Sequence, residues 1–206
     1  LTDLPELAPL YAERGVAEIA LGKYEAALTD LEKALDIAPD TPTFLQWRGV
    51  VFFLTNRYDD ALNDLDAALA ALPNSTVLRL SRGRVLEAQG RFPEALVDFE
   101  AYLATLPDDG LVQARRVRLL LALNDTDRLW QALPALEATV RHETSGEAAY
   151  SLARAYAVQK RGRQALVWLG VALEQNPELA ESAALDGAFE GLRTEARFVA
   201  LLQSIR

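Results

Sequence analysis

Apolar residues recur along this chain at helical spacing, in stretches broken by the same punctuation. Between Tyr24 and Ile37, Ala27, Leu28, Leu31, Ala34 and Leu35 fall at i, i+1, i+4, i+7 and i+8, a single stripe down one helix. Leu10 to Leu21 reads as a helix before it. The pattern returns with a shift of 34 residues: "GKYEAALTDLEKALDIAPD" from Gly22, "NRYDDALNDLDAALAALPN" from Asn56 and "GRFPEALVDFEAYLATLPD" from Gly90. Pro39, Pro73 and Pro107 close these copies, so each period holds two helices. Gly22, Asn56 and Gly90 sit between the two, where a left-handed backbone ends the first helix at low cost. Thr41, Ser75 and Asp109, two residues beyond each proline, are N-cap side chains for the next helix.

Small residues recur where helices must approach closely: Gly15, Gly49 and Gly83 in the first helix, Ala27, Ala61 and Ala95 in the second. Tyr24, Tyr58 and Phe92 recur as the large residues expected opposite them. This helix pair, with its small residue, Gly, aromatic, Ala and Pro at set positions, resembles the tetratricopeptide repeat family over residues 8 to 107. The fold class expected is all-α, a right-handed superhelix of about five helix-turn-helix repeats and a capping helix.

Beyond Pro107 the pattern loosens. Pro177 lies 70 residues on, which accommodates two more repeats with a short insertion. The fifth is recognisable in Ala148 to Glu178, with Ala153, Ala165, Ala172 and Pro177 in place and Gly162 where an aromatic belongs. In the fourth, Leu111 to Leu123 is a clear helix, but Asp127 to Val140 has Trp130 out of pattern and Pro134 inside it, which predicts a kink or an early stop. The last segment places Phe198, Leu201, Leu202 and Ile205 on one face of a final helix suited to capping, and resembles closing segments of bacterial arrays of the family. The expectation is one domain over residues 1–206, with repeats at about 8–41, 42–75, 76–109, a degenerate 110–145, 146–179, and capping helices over 180–206.

Charge has its own period. Arg14, Arg48, Arg82 and Arg116 are spaced by 34, as are Asp30, Asp64 and Asp98, and each of the first three arginines precedes its acid by 16 residues. That separation brings the two side by side across an antiparallel pair, so these are expected to be ion pairs within a repeat; at the fourth, Ala132 replaces the acid.

The resemblance implies a concave wall lined by the first helix of each pair. It places Val16, Val50, Arg84, Arg118 and Arg154 at one equivalent position, flanked by Ala12, Ile19, Gln46, Trp47, Phe53, Leu80, Glu87, Leu121 and Tyr150. Such a wall is apolar and aromatic toward the N-terminus and basic toward the C-terminus, and its arginines can fork onto carboxylates or phosphates. The ordinary alternative is a solvated face whose Arg stems cover apolar surface. Some members of the family clamp a chaperone's C-terminal carboxylate with Lys and Asn. Here the matching positions are Ala12, Val16, Trp47, Val77 and Ser81, so that clamp is absent.

Composition narrows the function. The 206 residues carry a net charge of −9, which argues against a nucleic-acid partner. Residues 1–75 hold 13 acids and 5 bases, whereas residues 110–165 hold 5 acids and 9 bases, so the two regions differ in sign. The longest apolar stretches fall far short of a membrane span. With no Cys, thiolate metal sites and cysteine nucleophiles are excluded; the single histidine, His142 in a loop, has no second His or Cys for a metal site and reads as a surface residue rather than a general base, and no cofactor is expected. The acid pairs Asp59–Asp60 and Asp108–Asp109 belong to helix starts. Leu1 in place of an initiator Met points to an excised or processed chain. The compartment is therefore open, with the cytoplasm favoured and the periplasm the alternative if a signal peptide was removed. These features converge on a non-catalytic scaffold that binds an extended peptide or helix of a partner protein, one with acidic groups matching the arginines. Two alternatives stay open: a self-assembling structural subunit forming a weak homo-oligomer, and an interaction module of a larger enzyme or signalling protein.

Overall fold

The computed structural model describes residues 5–140 and 144–203; His142 and Ile205 lie outside them. The chain divides into two compact units, one ending at Tyr102 and the other starting at Leu103. Among the described residues there is no strand.

The first unit is built from α1 (Leu7–Ala20), α2 (Tyr24–Ile37), α3 (Pro42–Leu54), α4 (Tyr58–Ala71), α5 (Thr76–Ala88) and α6 (Phe92–Leu103). Each odd helix pairs with the next, and each pair leans on its neighbour. The stripe read from the sequence is the buried face of α2: Ala27, Leu31, Ala34 and Leu35 are buried, with Leu28 packed partly against them. The turns repeat in atomic detail. Gly22, Asn56 and Gly90 all have positive φ, and the residue after each donates its N–H to the carbonyl five residues back (Lys23 to Glu18, Arg57 to Phe52, Arg91 to Leu86), which caps the helix end.

The close approaches differ from expectation. A Cβ on Gly49 would stand 3.2 Å from Leu65 Cγ, and one on Gly83 would stand 2.7 Å from Phe99 Cε1. The atoms nearest these glycines thus belong to the buried stripe of the partner helix, rather than to Tyr58 or Phe92. Tyr24 instead covers the edge of the first core cluster, and Tyr58 lies with its ring 6.0 Å from Phe53. A residue at the start of the second helix is simply too near the turn to reach mid-helix.

The ion pairs form as spaced. Arg14 forks onto Asp30, Arg48 onto Asp64 at 2.7 and 2.8 Å, and Arg82 onto Asp98 at 2.7 and 2.8 Å. The carboxylates are buried and the guanidinium groups face outward. Hydrogen bonds from Arg14 hold Asp30 below the usual carboxylate range. Arg82 also reaches Asp66 of α4 at 2.7 Å, so it ties the second repeat to the third, while Arg79 approaches Asp98 at 3.5 Å.

The second unit comprises α7 (Gly110–Ala122), α8 (Thr126–Thr139), α9 (Glu147–Val158), α10 (Gly162–Gln175), α11 (Leu179–Leu185), a 3₁₀ helix (Gly187–Leu192) and α12 (Ala196–Gln203). Asn124 and Lys160 take the left-handed turn position here, with φ of 53° and 59°. Helix α8 does not stop at Pro134 but runs on to Thr139, with the proline on its exposed side. The out-of-pattern Trp130 has a partner from the turn before α10: the Arg161 guanidinium lies 4.1 Å from its ring centre. Tyr156 of α9 hydrogen-bonds Glu137 of α8. These contacts join the degenerate repeat to the next; within that repeat the Arg–Asp fork is missing, its acid position taken by the fully buried Ala132.

Two contrasts are expected in urea unfolding. Asp98→Ala leaves Arg82 and Arg79 without their shared buried anion and costs about 3 kcal/mol, while Asp30→Ala costs less because Arg14 is largely solvated. Gly83→Ala drives a methyl into the Phe99 ring and destabilises by about 1–2 kcal/mol despite the better helix propensity of Ala. Gly49→Ala, whose methyl would stand 3.2 Å from the buried Leu65 Cγ, is a milder overlap and costs less than Gly83→Ala, within about 1 kcal/mol of the parent.

Candidate binding surfaces

In the first unit, the residues picked out as a wall lie on α1, α3 and α5. Ala12 is buried in the core cluster, and Ile19 and Trp47 pack against it, so these three contribute as much to the fold as to a surface. Val16, Gln46, Val50, Phe53, Leu80 and Glu87 are half-buried, and Arg84 is exposed. The best-defined feature joins α3 to α5. A hollow of about 90 Å³ opens there, floored by Gly49 and Leu65 and edged by Val50, Phe53, Ser81 and Arg84. The Arg84 guanidinium lies 5.3 Å from the centre of the Phe53 ring. Stacking on an aromatic face restricts a long side chain and keeps its charge beside an apolar recess, an arrangement that can accept a small aliphatic group next to an anion.

The second unit arranges its wall residues differently. Arg118 and Leu121 are half-buried on α7. Tyr150 and Arg154 on α9 meet the segment that follows α11. Arg154 Nε lies 2.8 Å from Asp186 Oδ2, off the line of its N–H, so the contact is an ion pair more than an aligned hydrogen bond. The Tyr150 hydroxyl donates to the same oxygen at 3.1 Å. Burial first, then the Asp186 charge, push that hydroxyl well above the ordinary tyrosine range, so it remains a donor at neutral pH. Gly162, unexplained by the repeat pattern, is explained by the same segment: a Cβ there would stand 2.8 Å from Leu192 Cδ2. Where earlier repeats carry an aromatic, the closing segment supplies the bulk instead.

A second recess in this unit was not foreseen. It is an open cleft of about 910 Å³ between α11 and α12, with Ala180, Ala184, Phe198 and Leu202 as its apolar lining and Glu181 and Arg193 at its rim. Phe198 and Leu202 were visible in the sequence as one face of a final helix; what hid the cleft was the break of the segment into α11, a 3₁₀ helix and α12. Among the described residues, no cluster of His, Asp and Glu could hold a metal ion, and no helix is long and apolar enough to cross a membrane.

Paired helices of constant length, left-handed turns at one register and glycine-mediated contacts together define the class of protein. A family model described as tetratricopeptide repeat matches residues 13–76 and 55–110. Residues 13–110 are tetratricopeptide repeats. Solved structures agree on the fold. The chain is similar to YrrB, described as a TPR protein with an unusual peptide-binding site, at 20% identity over 82% of this chain and 86% of that one, with a TM-score of 0.68. It is similar to MamA at 16% identity over 86% of this chain and 96% of that one, with a TM-score of 0.72. The first TPR of Spaghetti (RPAP3), bound to the HSP90 peptide SRMEEVD, matches at 24% identity over 58% of this chain and 97% of that one, with a TM-score of 0.55. At such identities the likeness is one of fold. No curated protein matches the chain by sequence.

The two arginines on equivalent helices should respond differently to truncation. Arg154→Ala leaves the half-buried Asp186 without its cation and costs about 2 kcal/mol, whereas Arg84→Ala costs less than about 1 kcal/mol; urea unfolding of the two variants measures the contrast.

Proposed function

We propose that the chain is a non-catalytic protein–protein interaction scaffold, and that the α1/α3/α5 face of its first unit holds an extended peptide or a helix of a partner. The observation that carries this reading is Arg84 stacked beside Phe53 at the hollow between α3 and α5. Rigid helices hold the two side chains in place before any partner arrives, which lowers the ordering cost of binding. The partner chemistry that fits is a small aliphatic side chain next to a carboxylate. The peptide in the Spaghetti (RPAP3) complex, with its acidic EEVD end, and the peptide-binding site named for YrrB support the general mode. The atoms needed for the Lys and Asn clamp are not here, so the acid is read by Arg84 from a different position. Arg118 on α7 provides a basic group of the same register in the second unit.

The sign difference between residues 1–75 and 110–165 favours a second reading, self-association in which the acidic region of one molecule meets the basic region of another. Sedimentation at several salt concentrations separates the two: a contact driven by charge weakens as screening grows, and a salt-insensitive monomer removes it.

Peptides selected against the purified protein from a random library provide the direct measurement. Phe53→Ala and Arg84→Glu are each expected to weaken the selected peptides by about tenfold or more, the loss typical of removing an anchor or reversing a paired charge. Unchanged affinity in both variants overturns the α3/α5 site.

A further inference from the structure

Asp186 stands where α11 ends, in extended backbone with φ −65° and ψ 122°, before the 3₁₀ helix begins. Its carboxylate meets Arg154 and Tyr150, both from α9, and its other oxygen accepts from the N–H of Ala188 at 2.9 Å. Three residues on, Phe189 is fully buried, with its ring edge-on to Tyr150 at 5.8 Å and beside Phe198 at 5.9 Å. Three further on, Leu192 fills the space opened by Gly162. An acid, an aromatic and a leucine at intervals of three are thus read by α9 and α10 through one ionic contact and two apolar ones. Directional polar contacts at one end with buried side chains at the other are how peptide ligands are recognised on helical surfaces. The residues that do the reading, Tyr150 and Arg154, occupy the register that Leu80 and Arg84 occupy in the first unit.

We propose that the face formed by α9 and α10 is a peptide-binding site for the pattern Asp-x-x-Phe-x-x-Leu, filled in cis by residues 186–192 of the same chain. The segment is a tethered ligand. A tether of this length holds it at an effective concentration on the order of 1 mM, so a separate peptide of the same chemistry enters only when the internal copy is weakened. The site is independent of the α3/α5 reading, and the failure of either leaves the other standing.

The probe is a fluorescein-labelled peptide of residues 184–194, ALDGAFEGLRT, followed by anisotropy. With the parent protein no binding is expected at micromolar concentrations. With the full-length Asp186→Ala/Phe189→Ala variant, folded by circular dichroism, binding is expected. Replacing Asp186 by Asn or Phe189 by Ala within the peptide should each weaken that binding by about tenfold or more. A folded variant that ignores the peptide, or binds the altered peptides equally well, overturns the proposal. Should the double variant not fold, native-state hydrogen exchange of the parent protein decides. A tethered ligand opens over residues 186–192 while α9 and α10 stay protected; exchange of all three in one concerted step overturns it.

Discussion

Each of the first three helix pairs is organised around a buried carboxylate midway along its second helix. Asp30, Asp64 and Asp98 are removed from water by the stripe on either side of them, and a buried anion without a partner is not tolerated. The first helix must therefore bring its arginine to the same level, sixteen residues earlier in the chain. That requirement fixes how far one helix slides along the other, which general hydrophobic contact alone would leave loose. Once the slide is fixed, Gly15, Gly49 and Gly83 come to rest over Leu31, Leu65 and Phe99, and the outer faces of α1, α3 and α5 fall into a common register. The α3/α5 hollow depends on this alignment, because Phe53 and Arg84 come from different repeats and meet only if both pairs share one pitch.

Much of this was legible because the chain repeats itself. A stripe of Ala and Leu, a turn residue and a proline carry little weight singly, but three copies at one spacing specify helix pairs, their ends and their ion pairs. Asn56 was readable as a left-handed turn only because Gly22 and Gly90 flank it at that spacing. Lys160 adopts the same backbone without any such residue type, and there the signal was lost. The glycine partners were misassigned because linear spacing does not tell how far along its neighbour a side chain can reach. Of the kink or early stop that Pro134 suggests, the stop does not occur. The proline lies on the outer side, where the turn it disturbs faces solvent.

The candidate site was legible in part. The resemblance to the repeat family places Val50, Phe53 and Arg84 on one face once their positions are counted along the period. What register does not supply is the state of that face in each unit. In the first, Arg84 is exposed beside an aromatic; in the second, Tyr150 and Arg154 are engaged by Asp186. The difference arises from residues 186–192, which belong to no repeat and whose partners cannot be counted off along a period. Equivalent positions in a repeated chain thus serve unlike ends, depending on what the chain does after the last copy.

Gly162 carries a consequence for anyone who would lengthen this protein. Its missing side chain leaves a notch shaped for Leu192, so the final helix pair is cut to fit a terminator and not another copy of itself. Splicing a further module after Asn176 would strand that notch as an empty void, and the graft would need an aromatic restored at position 162 before the added helices could seat.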